Sequence, residues 1–294
     1  MASISNWVTG ARVRTLPLAA APVILGSATA DLTDNFNPIL ALGALLVALF
    51  LQIGVNYAND YSDGIRGTDD NRVGPLRLTA SGLVRPRSVK IAAFVTFLIA
   101  GAIGLAMVVA TEQWWLIAVG ALAILAAWFY TGGKTPYGYA GLGEVSVFVF
   151  FGLVATVGTN YLMTLTIDPL AVILGSASGF YASAVLLVNN IRDRATDQES
   201  GKRTIAVMLG DKRARALFLV LIYVPLALNV LLVLLYPATI IGLLNLLLLV
   251  PISGIALSGK TPKELITALK LTSFAGFFYG LLVGLGLFFV SFAL

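Results

Sequence analysis

The sequence predicts an all-α polytopic membrane protein, a single domain over 1–294 with about nine transmembrane helices and polar helix–loop caps on one side. Three observations predict it. Of 294 residues, 59% are hydrophobic and 11% charged, against ~25% charged in a soluble domain. Uncharged runs cover 15–30, 35–59, 91–111, 113–133, 145–167, 169–191, 216–259 and 271–294, and most match the ~20 apolar residues that a helix needs to cross a bilayer. All 19 Lys and Arg fall just before the first run or in alternate connections between the spans.

The runs become helices one by one. The first is short and holds Pro17 and Pro22, so its inner end is expected nearer Trp7–Arg14. The second, 35–59, leads into "NYANDYSDGIRGTDD" at 56–70. Glu112 separates the third run from the fourth, and Asp168 the fifth from the sixth. At 44 residues, 216–259 is too long for one span. It divides at Tyr236-Pro237, because proline opposes a helix interior and pushes the residue before it out of the α region. The ninth span is 271–294.

With the N-terminus inside, the inner connections hold Arg12 and Arg14, six cations from Arg66 to Lys90, Lys134, seven from Arg192 to Arg215, and Lys260, Lys263 and Lys270. The outer ones hold none. The positive-inside rule therefore sets the N-terminus in the cytoplasm of an inner or plasma membrane and the C-terminus outside. Long inner connections are expected at 64–88 and 194–212, where function concentrates. No apolar core precedes a small-residue cleavage site near the start, so no cleaved signal peptide is expected.

The absence of Cys and His excludes disulfides, thiolate metal sites, haem ligation by His and Ser-His triads. No Walker or dinucleotide pattern is present. The net charge of +5 follows from topology and implies no nucleic acid. Chemistry falls to carboxylates, amides, hydroxyls, Lys/Arg and a hard metal ion.

Two polar motifs carry that chemistry. Asn56, Asn59, Asp60 and Asp63 stand at i, i+3, i+4 and i+7, one face of a helix. Asn189, Asp193 and Asp197, within "NNIRDRATDQESGKRT", stand at i, i+4 and i+8, again one face. Carboxylates stacked at this spacing repel, and acids near a helix C-terminus oppose its dipole. A cation between them removes both penalties. Oxygen-only ligands suit Mg²⁺, bound by one or two carboxylates and by substrate phosphates. Two such faces meeting across a cavity would hold Mg²⁺ on a diphosphate, with Asn56 among the ligands. Arg66, Arg72 and Arg77 follow the first motif, and Lys202 and Arg203 the second. Such cations stabilise a departing diphosphate, although basic inner loops explain any single arginine as well.

The paired motifs and nine spans resemble the UbiA superfamily of intramembrane aromatic prenyltransferases. "NYANDYSDGIRGTD", "GPLRLTASG", "YTGGKTPYGYAGLGE" and "RDRATDQESGKRTIAVMLG" are similar to its 1,4-dihydroxy-2-naphthoate branch, and the likeness covers essentially the whole chain. It implies a UbiA-type bundle that transfers a polyprenyl chain from a polyprenyl diphosphate to 1,4-dihydroxy-2-naphthoate, with loss of CO₂ and diphosphate. It also implies Mg²⁺, with Mn²⁺ as an alternative, on Asp60, Asp63, Asp193 and Asp197. The superfamily pattern N-D-x-x-D-x-x-x-D fits Asn59, Asp60 and Asp63, but its last position is Gly67. Asp69 lies two residues further, as in the branch, with Asp70 beside it. Lys134 and Tyr139, in the loop at 130–144, are candidates for holding the acceptor, and Arg14 for lining the cavity; interfacial aromatics and headgroup anchors are the plain alternatives. Prenylation of another aromatic acid, such as 4-hydroxybenzoate, and ion-coupled secondary transport are the rival functions. Glycines within the spans, Gly101, Gly104, Gly280, Gly284 and Gly286, are expected to let helices approach closely.

Overall fold

The computed structural model describes residues 3–68 and 76–293. Among them every regular element is helical. Eight stretches are long and apolar enough to cross a membrane, and Leu116–Phe129 is apolar but shorter. The nine expected segments are therefore present, one of them abbreviated.

The first span is in two pieces, α1 (Ile4–Ala11) and α2 (Leu16–Asp31), hinged where Arg12 adopts φ 53°. α3 (Pro38–Arg66) starts where the Asn37 side chain accepts the Ile39 and Leu40 amides at 3.0 and 3.1 Å, with proline at the first helical position, where a missing N–H costs nothing. It ends at Gly67, whose φ of 73° suits the left-handed cap. Next come α4 (Pro86–Thr111) and α5 (Leu116–Phe129). α6 (Gly143–Val147) joins α7 (Ala155–Thr164) through a π-helical stretch, Phe148–Val154. α8 (Pro169–Glu199) is capped by Asp168, which accepts the Leu170 amide at 2.8 Å. α9 (Ile205–Val233) breaks once at Gly210. A 3₁₀ stretch, Pro237–Asn245, opens at the proline where the long apolar run was expected to divide and leads into α10 (Leu246–Ser258). α11 (Pro262–Ala293) closes the chain.

One expectation needs correcting. The second inner connection is not long: α8 runs to Glu199 and α9 starts at Ile205, so only 200–204 separate them where a connection over 194–212 was expected. A run of charge marks where hydrocarbon ends, not where the helix ends, because a helix in water or headgroups tolerates charge.

α3 lies along α4, α8 along α9 and α2 along α11. Lipid is as apolar as leucine, so close packing and interhelical hydrogen bonds hold such a bundle. Asn160 Nδ2 donates to Thr29 Oγ1 at 3.0 Å, joining α7 to α2. Asn245 Nδ2 donates to Tyr181 Oη at 2.6 Å and to the Ala275 carbonyl at 3.1 Å. A Cβ on Gly280 would lie 2.7 Å from Ala21 Cβ, and one on Gly152 would lie 2.4 Å from Gly179 Cα; only glycine fits there. Gly284 and Gly286 are similarly crowded, as expected. Gly104 is not: a Cβ there would meet nothing within 4 Å, and one on Gly101 would meet a single side chain at 3.8 Å. Both line a cavity instead.

Candidate functional site

That cavity has a volume of about 650 Å³ and is walled by α2, α3, α4, α5, α7 and α8. One end of it is polar, and both motifs open onto it. Asn56, Asn59 and Asp63 on α3 line it, as do Asn189, Asp193 and Asp197 on α8. Its other arm runs among small and apolar residues of α4 and α5, including Gly104, Leu105, Ile117 and Gly120. Leu105 and Ile117 are about half exposed, at 49% and 47%, on helices of the membrane-spanning bundle.

Lys202 draws the motifs together. Its Nζ lies 3.6 Å from Asp63 Oδ2 and 3.9 Å from Asp197 Oδ1, and 4.6 Å from the centre of the Tyr139 ring. The turn after α8 aims it, with the Lys202 amide donating to the Asp197 carbonyl at 2.8 Å. Tyr139 Oη donates to Asp63 Oδ1 at 2.7 Å. Burial, then the adjacent Asp63 carboxylate, pushes the Tyr139 hydroxyl well above its ordinary range, so it remains a donor at any working pH.

The other motif residues are committed differently. Asp60 is 1% exposed, does not line the cavity, and accepts the Leu78 and Thr79 amides at 2.8 Å each. On a helix it stands ~40° from Asn56 on the side away from Asn59 and Asp63, which turns it toward the segment after α3. Asp193 is held by the Arg192 guanidinium, Nε to Oδ1 and Nη2 to Oδ2 at 2.6 Å each. Arg192 Nη2 also donates to Asn189 Oδ1 at 2.9 Å. Asn56 Nδ2 donates to the Ala11 carbonyl at 2.9 Å, and Asn59 Oδ1 accepts from Thr131 Oγ1 at 2.9 Å. Arg66 donates to the Thr131 and Gly133 carbonyls and faces the Tyr139 ring at 5.6 Å.

Arg77 and Arg14 line the cavity. The side chains of Lys134 and Arg203 are exposed and do not line it, although the Arg203 amide donates to the Tyr139 carbonyl at 2.9 Å. Arg72, Asp69 and Asp70 lie outside the described residues. Sequence reasoning missed Arg12, Arg192 and Asn190, all of which line the cavity. For Asn190 the signal was there: Asn190, Asp193 and Asp197 repeat the i, i+3, i+7 spacing of Asn56, Asn59 and Asp63.

Among the described residues no three acidic side chains gather into a metal site of their own. Two carboxylates from different helices, sharing one cation beside further Arg residues, do fit an ion that takes its remaining ligands from water and a substrate's phosphates.

The UbiA prenyltransferase family model matches residues 19–260. The chain is 47% identical over 283 residues to 1,4-dihydroxy-2-naphthoate octaprenyltransferase of Mycobacterium tuberculosis, covering 96% of this chain and 97% of that one. It is 41% identical over 215 residues to the enzyme of the same name from Escherichia coli, covering 71% and 70%. In fold it resembles a UbiA homologue from Aeropyrum pernix (TM-score 0.69, 16% identity, 100% of each chain). It also resembles one from Archaeoglobus fulgidus bound to GPP and Mg²⁺ (TM-score 0.64, 14% identity, 95% and 99%). With that family match over most of its length, two facing acidic helices and an apolar cavity between them, the chain belongs to the UbiA prenyltransferase family.

Proposed function

We propose that the chain is an intramembrane polyprenyltransferase that joins a polyprenyl chain to 1,4-dihydroxy-2-naphthoate, releasing diphosphate and CO₂. One observation carries the site assignment: carboxylates from the two motifs, Asp63 and Asp197, converge on Lys202 at the polar mouth of an otherwise apolar cavity. The near relatives named for this acceptor support the choice of ring.

Asp63 and Asp197 would hold Mg²⁺, with Asp193 shared between it and Arg192; bound metal draws charge from the diphosphate oxygens. Lys202, Arg77 and Arg192, which line the same cavity, would bind those oxygens. The allylic C–O bond breaks heterolytically and its electron pair leaves on the diphosphate. The apolar arm excludes water from the allylic cation and takes up its isoprenoid tail. The ring carbon bearing the carboxylate attacks, and the C–C electron pair of that carboxylate restores aromaticity as CO₂ departs. Lys134, exposed outside the cavity, does not clamp the carboxylate, which favours its loss.

Acceptor labelled in the carboxyl carbon provides the test. Label should leave as CO₂ and be absent from the prenylated product; retained label would point to a 4-hydroxybenzoate-type reaction and remove the naphthoate assignment.

The polar mouth faces the cytoplasm in this reading, supported by the placement of all 19 basic residues. The chain lacks cysteine, so single cysteines at the exposed Asp34 and Ser88 are clean probes. They should react with a membrane-impermeant thiol reagent from opposite sides, Ser88→Cys from the cytoplasm. Labelling from one side would overturn the orientation.

A further inference from the structure

Glu144 is a buried carboxylate that the chemistry above does not use. It opens α6 and is 6% exposed. Its Oε1 accepts from Asn190 Nδ2 at 2.9 Å, and Ser183 Oγ donates to its backbone carbonyl at 2.8 Å. Both partners come from α8. Its Oε2 is buried with no hydrogen-bond partner. A half-satisfied buried carboxylate is costly, and a glutamine or a simple apolar contact would join α6 to α8 at less cost. In its ionised form the carboxylate does something an amide cannot: it only accepts, so it admits one orientation of the Asn190 amide.

Asn190 lines the cavity, three and seven residues before Asp193 and Asp197. With one N–H of Nδ2 committed to Glu144, Oδ1 is the acceptor that Asn190 has left to offer the cavity, beside the second N–H. Aromatic and apolar side chains line the cavity as well. Tyr130, Tyr137, Val147, Phe150 and Leu186 line the same cavity, with Tyr130 and Tyr137 edge to face at 5.6 Å. A flat ring fits against such a wall, and a lone carbonyl oxygen there recognises a ring hydroxyl.

We propose that Asn190 accepts a hydrogen bond from a hydroxyl of the aromatic acceptor and that Glu144 is the positioning residue that keeps its carbonyl turned to the ring. The inference rests on the prenyltransferase reading but adds specificity residues to it. Asp63 and Asp197 serve the diphosphate; Asn190 selects an acceptor that carries a hydroxyl.

The test uses the full chain in detergent or liposomes, with 1,4-dihydroxy-2-naphthoate as acceptor and its two mono-O-methyl ethers as competitors. The wild type should bind one ether about tenfold more weakly than the acceptor, the worth of one hydrogen bond to a buried site. Asn190→Ala should raise the acceptor KM about tenfold, leave the polyprenyl diphosphate KM unchanged, and bind acceptor and that ether alike. Glu144→Gln, whose amide lets Asn190 turn either way, should show a weaker form of the same split. A role confined to packing would lower stability and raise both KM values together without removing discrimination. Discrimination intact in Asn190→Ala, or an unaltered acceptor KM in Glu144→Gln, overturns the inference while wild-type turnover stands. Absence of prenylated naphthoate from the wild type itself overturns the functional reading, and the inference with it.

Discussion

Asp197→Asn and Asp63→Asn are each expected to slow diphosphate release by at least about a hundredfold, the scale of losing one charge partner of a developing anion. Folding should survive. Tyr139 Oη still has an amide oxygen to donate to at position 63, and Lys202 keeps the other carboxylate at 3.6 or 3.9 Å in either variant. The change also removes one negative charge from a pair of carboxylates that both approach Lys202, so melting temperature should move little. Diphosphate release from a polyprenyl diphosphate, with and without acceptor, is the measurement, and tryptophan fluorescence on heating is the control. A near wild-type rate in both variants would sink the assignment of Asp63 and Asp197 to the metal.

Asp60 should behave in the opposite way. Asp60→Ala leaves the Leu78 and Thr79 amides without the carboxylate they donate to. Two such bonds to a buried charge are together worth about 3 kcal/mol. Leu78 is fully buried beside Tyr57 and Gly10, so the strand of chain carrying Arg77 into the cavity loosens with it. We expect a clear fall in melting temperature, with activity lost as a consequence. Asp60→Asn can present only one acceptor to two donors and should lie between. An unchanged melting temperature with a hundredfold rate loss in Asp60→Asn would instead return Asp60 to the metal, as the motif pattern alone suggests.

Asp60 and Asp63 show where sequence reasoning ends. Periodicity put both on one helical face, and the convergence of α3 and α8 followed from span counting, because three intervening spans and then α8 itself return the chain to the same side. The split between them depends on which neighbour reaches the edge of that face, here the segment at 76–79, and no spacing encodes that. Arg192 was legible only as one more inner-loop cation; its bidentate grip on Asp193 is a rotamer choice that appears in coordinates alone. Asn190 was hidden differently, behind its neighbour Asn189, whose i+4 and i+8 spacing to the aspartates is the more familiar pattern. Gly101 and Gly104 failed for want of a partner: small residues mark close approach, yet they serve equally to leave room, and composition does not distinguish the two. The abbreviated α5 kept its place because hydropathy survives shortening.

The wall formed by Leu105 and Ile117 has a consequence for how the enzyme meets its substrates. The apolar arm of the cavity lies among membrane-spanning helices, and its other end is polar. A molecule with a long hydrocarbon tail reaches such a site by sliding within a sheet, where its abundance is counted per unit of membrane area; a small charged ring arrives from the bulk and is counted per unit volume. Adding inert lipid therefore thins out one reactant and leaves the other untouched. The enzyme works at a phase boundary, and its apparent appetite for the tailed substrate is a property of membrane and protein together.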